Sequence, residues 1–266
     1  METNNIENET NITVSDAENI MNIPRPIVGM AKEYLSGDLI EPHHHVRSQL
    51  LYASTGVMTV TTYDGVWVVP PSRAVWVPAK TEHQIKASGK LSMRTLYIEP
   101  SHCIGTSKQC CVVSVSPLLK ELILHAVKMP ALYPLNSPEE RIMIVILDQI
   151  QNLDVKPLNL PIPKDIRLKE IFNQLSKNPG DQRTLEEWGK KVGATRRTLT
   201  RLFNSELGMS FGKWRQQIRI LESLRRLAMN DPVTTIAIDL GYDSPSAFIS
   251  MFKKALGKTP GQYFSA

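Results

Sequence analysis

Residues 184–203, Thr-Leu-Glu-Glu-Trp-Gly-Lys-Lys-Val-Gly-Ala-Thr-Arg-Arg-Thr-Leu-Thr-Arg-Leu-Phe, read as two short helices meeting at a glycine. Thr184 suits the cap of the first, because its hydroxyl can accept a hydrogen bond from an unpaired amide at the helix start. Gly189 supplies the small residue needed where two helices approach closely, and Gly193 occupies the turn four residues on. Thr195 can cap the second helix. Leu199, Leu202 and Phe203 recur on its inner face. Arg196, Arg197, Thr200, Arg201 and Asn204 are left outside. Residues 233–252 repeat the arrangement, with Ala237 as the small residue, Gly241 at the turn, Ser244 as cap and Pro245 at the first helical position. There Phe248, Met251 and Phe252 face inward, and Asp243, Ser246, Ala247 and Ser250 face outward, followed by Lys253 and Lys254.

Residues 210–229, between the units, read as one helix spanning about 30 Å. Successive major-groove faces of DNA lie about 34 Å apart, so such a helix can set both outer faces on neighbouring turns. Charge agrees with a polyanionic partner. Lys164 to Ala266 holds 18 Lys and Arg against 10 Asp and Glu, a net of +8, whereas Met1 to Pro163 holds 13 against 16, a net of −3.

From about Ile166 to Phe264 the chain resembles the DNA-binding domain of the AraC/XylS family of bacterial transcription regulators. The most specific pieces are 197–203 (RTLTRLF), 207–211 (LGMSF), 236–242 (IAIDLGY) and 252–263 (FKKALGKTPGQY). The resemblance implies base contacts from Arg197 and Arg201 in the first unit, and from Ser246, Ala247 and Ser250 in the second. Arg196, Thr200, Asn204, Lys253 and Lys254 complete the expected DNA-binding set. Arginine suits guanine because its fork donates two parallel hydrogen bonds to O6 and N7. Lys190, Lys191, Lys213 and Arg215 are weaker candidates, for phosphates. Trp188 and Trp214 read as packing residues. Ser250 and Phe264 stand where the family often has a longer polar or basic residue and an arginine, so the second unit is expected to read bases less strongly.

Upstream, 154–164 carries three prolines in eleven residues and falls where the charge changes sign. Proline lacks the amide that helices and sheets need, so this segment reads as a linker. It separates a sensing domain over 25–153 from a DNA-binding domain over 165–266. Residues 1–24 are polar and acidic and read as a flexible tail, without the apolar run of a signal peptide. From Ile27 to Ile98 short β-branched and aromatic runs (57–62, 66–69, 75–77, 91–98) alternate with turn residues such as Asp64-Gly65, which suggests a small antiparallel barrel or jelly roll. Helical patterns follow over Pro117–Met129 and Pro138–Leu153. In the second, Ile142, Val145, Ile146 and Ile150 form an apolar face for its own barrel or for a partner subunit. The expected fold is therefore multidomain: an all-β barrel followed by helices, then an all-α domain with two helix-turn-helix units joined by a long helix.

Residues 37–56 resemble the first cupin motif, with His43 and His45 in the His-x-His pair and Gln49 where many cupins have glutamate. Residues 78–83 resemble the second, with His83. Alternate strand residues point to one side, so these side chains can meet inside the barrel. His43, His45, Arg47, Gln49, Tyr52, Trp76 and His83 are the candidates for binding a small effector. His43, His45, Gln49 and His83 are also a candidate divalent-metal set, since imidazole suits zinc, iron, nickel or copper. The glutamine brings no charge to such a site, and no cofactor is required by the reading. Cys103, Cys110 and Cys111 show neither a disulfide framework nor zinc spacing.

Three functions remain open on the sequence: an effector-controlled transcription regulator, a metal-dependent cupin enzyme fused to a DNA-binding domain, and a ligand-independent DNA-binding dimer. Gln49 and the tandem DNA reader favour the first. Its expected partners are double-stranded DNA, a small-molecule effector, RNA polymerase if it activates, and a second copy of the chain. A cytoplasmic, non-membrane, non-enzymatic protein is expected.

Overall fold

In a computed structural model, which describes residues 19–71, 73–156 and 158–264, nine strands form one antiparallel sheet rolled into a barrel. They are β1 (Ile27–Tyr34), β2 (Leu39–His43), β3 (Ser48–Thr61), β4 (Gly65–Val69), β5 (Arg73–Val77), β6 (His83–Ile98), β7 (Cys111–Ser114), β8 (Val155–Lys156) and β9 (Asn159–Pro161). The two long strands make the roll. The first half of β3 pairs with the second half of β6 and with β5, and its second half pairs with the first half of β6 and with β4. The register slips between Ala53 and Val57. Gly56 lies in that stretch at φ +72°, where a Cβ would stand 2.6 Å from the Lys90 carbonyl oxygen. Only glycine takes this bend without strain.

Alternation along β3 sorts its side chains between two layers. Leu51, Ala53 and Met58 belong to one buried cluster, while Leu50 and Tyr52 join Trp76, Leu96 and Ile98 in another. Helices α1 (Pro117–Ala126) and α2 (Pro138–Gln151) cover the second cluster, burying Leu119, Ile123, Met143, Ile146 and Ile150. The apolar face expected on the second helix thus packs largely on its own barrel. Ile144 and Val145 remain exposed.

The expected tail falls mostly on residues 1–18, which lie outside the described residues. Residues 19–25 are fastened instead. The buried Arg47 guanidinium donates to the carbonyls of Met21, Ile23 and Arg25 and pairs with Glu99 at 2.6 Å.

The expected linker also differs. Within it, β8 pairs with β7 and β9 pairs with β4, and Leu158 and Leu160 are buried. Proline is tolerated because these are short edge strands, where a missing amide costs no ladder bond.

Beyond residue 164 the described elements are all helical: α3 (Ile166–Lys177), α4 (Leu185–Val192), α5 (Arg196–Leu207), α6 (Phe211–Ala228), α7 (Val233–Asp239), α8 (Pro245–Leu256) and α9 (Pro260–Phe264). α6 is the axis of this half. Trp214, Ile218, Leu221 and Leu224 are buried along it. Arg226 bridges Asp231 and Asp239, tying its end to α7. None of the described helices is long and apolar enough to cross a membrane.

The barrel docks on α6. Arg225 Nε donates to Thr59 Oγ1 at 3.0 Å, and Leu227 and Ala228 pack on the same buried cluster as the barrel interior. Gly89, at φ +70°, lies so close that an added Cβ would be 2.2 Å from the Ala228 carbonyl oxygen. Gly89→Ala is expected to force this contact open, and the left-handed conformation adds about 1–2 kcal/mol. Protease cleavage within 154–164 should then become faster while both halves keep their circular-dichroism signals. Unchanged cleavage would show that the contact does not hold the halves together.

Candidate functional site

The first helix-turn-helix is built by local chemistry. Thr184 accepts from the Glu187 amide while Glu187 bonds back to the Thr184 amide, closing a capping box at the start of α4. Gly193 ends that helix at φ +66°. A Cβ on Gly189 would sit 2.4 Å from the Ala194 carbonyl oxygen, so the turn folds directly over it. Thr195 caps α5. Leu199, Phe203 and Leu207 are buried, and Arg196, Arg197, Thr200, Arg201 and Asn204 are exposed on the opposite face. The second unit repeats this, with Gly241 at φ +74°, Ser244 accepting from the Ala247 amide and Pro245 at the start of α8. Phe248 and Phe252 are buried, while Ser246, Ala247, Ser250, Lys253 and Lys254 are exposed.

The exposed arginines differ in readiness. Arg196 pairs with Glu186 at 2.8 Å, with the two side chains 70% and 50% exposed. Such pairs are worth at most about 1 kcal/mol, so a phosphate can displace the carboxylate. Arg197 and Arg201 form no ion pair among the described residues. Arg215 is turned inward, donating to the Arg183 carbonyl. Arg219, which the sequence did not single out, is buried against Tyr242 and donates to the carbonyls of Pro179 and Asp181. Trp188 and Trp214 are fully buried.

The barrel holds a partly open cavity of about 700 Å³. Met30, Ile40, Leu51, Ile85, Met93 and Tyr97 give it a mainly apolar wall. His43, His45 and Gln49 line it, and His83 lies behind them. Their rings form one cluster, with centroids 4.4 Å apart for His43 and His83, 4.8 Å for His43 and His45, and 5.8 Å for His45 and His83. Burial, reinforced by neighbouring histidines, lowers the pKa of both His45 and His83 to about 4, so both are neutral at neutral pH. Tyr97, edge-on to His45, is pushed up to about 12 by burial and so keeps its proton.

The structure does not bring every effector candidate to this cavity. Tyr52 and Trp76 lie in the layer under α1 and α2, because alternation along β3 and β5 turns them away, and the Trp76 indole donates to the Ser107 carbonyl. Arg47, just before β3, does not line the cavity either, because its guanidinium holds residues 21–25. The sequence did not indicate Lys32, Tyr34, Met93 and Tyr97, which also line the cavity. They carry no motif and arrive through the pairing of β1 with β6.

The metal set has a partial geometric basis. One ring nitrogen from each of His43, His45 and His83 lies within 4.8 Å of the others. Nitrogens bound about 2.1 Å from a common ion at the tetrahedral angle lie about 3.4 Å apart, so the rings must draw together by up to about 1.4 Å to close on one ion. His83 Nε2 and Gln49 Oε1 are buried without a hydrogen-bond partner. Buried polar atoms rarely lack partners, and both would gain one from a cation.

Comparison with known proteins agrees with both halves. A family model described as a helix-turn-helix domain matches residues 188–266, and one described as an AraC-like ligand binding domain matches 32–120. The HTH-type transcriptional regulator NimR of Escherichia coli K12 is 34% identical over 223 residues, covering 84% of this chain and 81% of that protein. The arabinose operon regulatory protein of the same organism is 27% identical over 128 residues, 47% of this chain and 44% of that protein. Among solved structures, the DNA-binding domain of AdpA in complex with a target DNA is 27% identical over 38% of this chain and 91% of that one, with a TM-score of 0.36.

Proposed function

Because the chain belongs to the AraC family of transcription regulators, we propose that it reads two adjacent DNA segments with α5 and α8, under control of a small molecule held in the barrel. The observation that carries the reading is the pair of capped helices whose outer faces are free. Arg197 and Arg201 are assigned to base edges, Arg196, Lys253 and Lys254 to phosphates, and Thr200, Asn204, Ser246, Ala247 and Ser250 to the remaining contacts. α6, at 18 residues, is about 27 Å long, which suits two recognition helices on one face of the duplex.

Effector control is assigned to the docked contact. β3 and β6 line the cavity and also meet α6 at Thr59 and Gly89. An effector that favours one arrangement of these strands therefore shifts how α6 is held, provided it binds the two arrangements unequally. The edge strands β8 and β9 offer a second route, since Glu206 of α5 accepts from the Lys164 and Asp165 amides. Exposed Leu118, Ile144 and Val145 on the covering helices support a homodimer. Contact with RNA polymerase is included for promoters the protein activates. The barrel is read as a binder, not an enzyme, acting in the cytoplasm.

Selection of bound sequences from random DNA, at two salt concentrations, tests this. Two enriched segments about one helical turn apart are expected. On the selected site Arg201→Ala should lose about 1–3 kcal/mol of affinity and relax one position, with folding unchanged because the side chain is exposed. Steep salt dependence with no enriched segment would leave only phosphate contacts and would overturn sequence-specific reading.

A further inference from the structure

The histidine cluster is held ready to present nitrogen lone pairs. His43 Nδ1 bonds to the Glu41 carbonyl at 2.7 Å, and His83 Nδ1 bonds to the Thr81 carbonyl at 2.9 Å. A carbonyl only accepts, so in both rings Nδ1 carries the proton and Nε2 is left with its lone pair. Fixing tautomer and ring orientation through the second nitrogen is how metal-ligating histidines are commonly supported. Beside them, Gln49 Oε1 is buried without a partner.

The cluster brings no negative charge. Three imidazoles and an amide would leave both positive charges of a divalent ion unbalanced. The nearby cavity wall adds Lys32, a cation, and Glu41, which is exposed, while the rest is mainly apolar. Unpaired charge in apolar surroundings is costly, so an ion alone is held weakly. An anion reaching it gains both a coordinate bond and the ion's charge.

From this we infer that His43, His45 and His83 hold one divalent ion of the zinc, nickel or cobalt kind, and that the effector is an organic anion with an apolar body that completes its coordination. This rests on the reading of the barrel as the effector site. Ion and anion must then raise each other's affinity by the same factor. Gln49 decides the division of labour: with glutamate there, the protein itself would balance the charge, and the ion would no longer depend on the effector.

The test uses the full chain dialysed against Co(II) or Zn(II), with benzohydroxamate as the anionic probe. One ion per chain is expected, with retention improved about tenfold by the probe and a shift in the visible bands of bound Co(II). Gln49→Glu should retain the ion without the probe and lose most of the enhancement. His43→Ala, at a half-buried position, should lose the ion while keeping the wild-type circular-dichroism spectrum. No bound ion in the wild type with probe present, equal retention in His43→Ala, or an undiminished probe effect in Gln49→Glu would each overturn the inference. A metal-free small molecule that still changes DNA affinity would do so as well, while leaving effector control in the barrel intact.

Discussion

Gly189→Val abolishes DNA binding and unfolds the first helix-turn-helix: this is the largest expected effect of a single substitution. Even the first added carbon would stand 2.4 Å from the Ala194 carbonyl oxygen. That oxygen cannot swing away cheaply. The Ala194 amide is bonded to the Gly189 carbonyl at 2.9 Å, and the next residue, Thr195, caps α5. Overpacking against side chains costs about 1–3 kcal/mol, and a clash with fixed backbone lies at or above the upper end. The core shared by Trp188, Phe203 and Trp214 would open, so tryptophan fluorescence should shift to longer wavelength as DNA affinity is lost. Gly212→Ala is the control. Nothing lies within 4 Å of a Cβ there, and glycine inside a helix costs about 0.5–1 kcal/mol relative to alanine. That variant should bind DNA normally and melt no lower than the wild type. Normal binding by Gly189→Val would mean that the turn is not packed as described.

Arg47→Ala is expected to destabilise the barrel by about 3 kcal/mol, the low end for removing one partner of a buried pair, because Glu99 is 39% exposed and can rehydrate. The larger consequence is local. Three carbonyls, of Met21, Ile23 and Arg25, lose their donor together. Met21 and Asn22 form part of the cavity wall, so the mouth should loosen along with the segment. Faster amide exchange over 19–25, with the sheet still protected, would report this. Unchanged exchange there would show that the segment is held by other contacts. Exposed Arg197→Ala should alter DNA affinity with no such change, which separates two arginines that look alike in sequence.

The double helix-turn-helix was legible because its determinants are local. Caps, turn glycines and inward apolar positions lie within about twenty residues of one another, and each acts on its own neighbours. Strand existence was legible in part. Residues 57–62 and 91–98 appear as runs of β-branched and apolar residues, but their joining into the long bent strands β3 and β6 depends on pairing between them. The connector reads as a linker from its prolines, whereas its buried Leu158 and Leu160 belong to short paired segments. Proline excludes a central strand but permits an edge strand, and only the neighbouring β4 and β7 determine that an edge was available.

The same division governs the sites. By itself the sequence determined which residues face outward from α5 and α8, since helical period fixes a face once the inner residues are known. It also placed His43 and His45 on one side of a strand and proposed His83 as their companion. Local alternation already turns Tyr52 away from Gln49 on β3, but tertiary structure alone decided that Arg47 leaves the cavity, that Lys32, Met93 and Tyr97 enter it, and that the barrel rests on α6. Those outcomes depend on which strand pairs with which, and on the side each bend turns toward. Contacts between residues far apart in the chain set both, and no short stretch of sequence contains them.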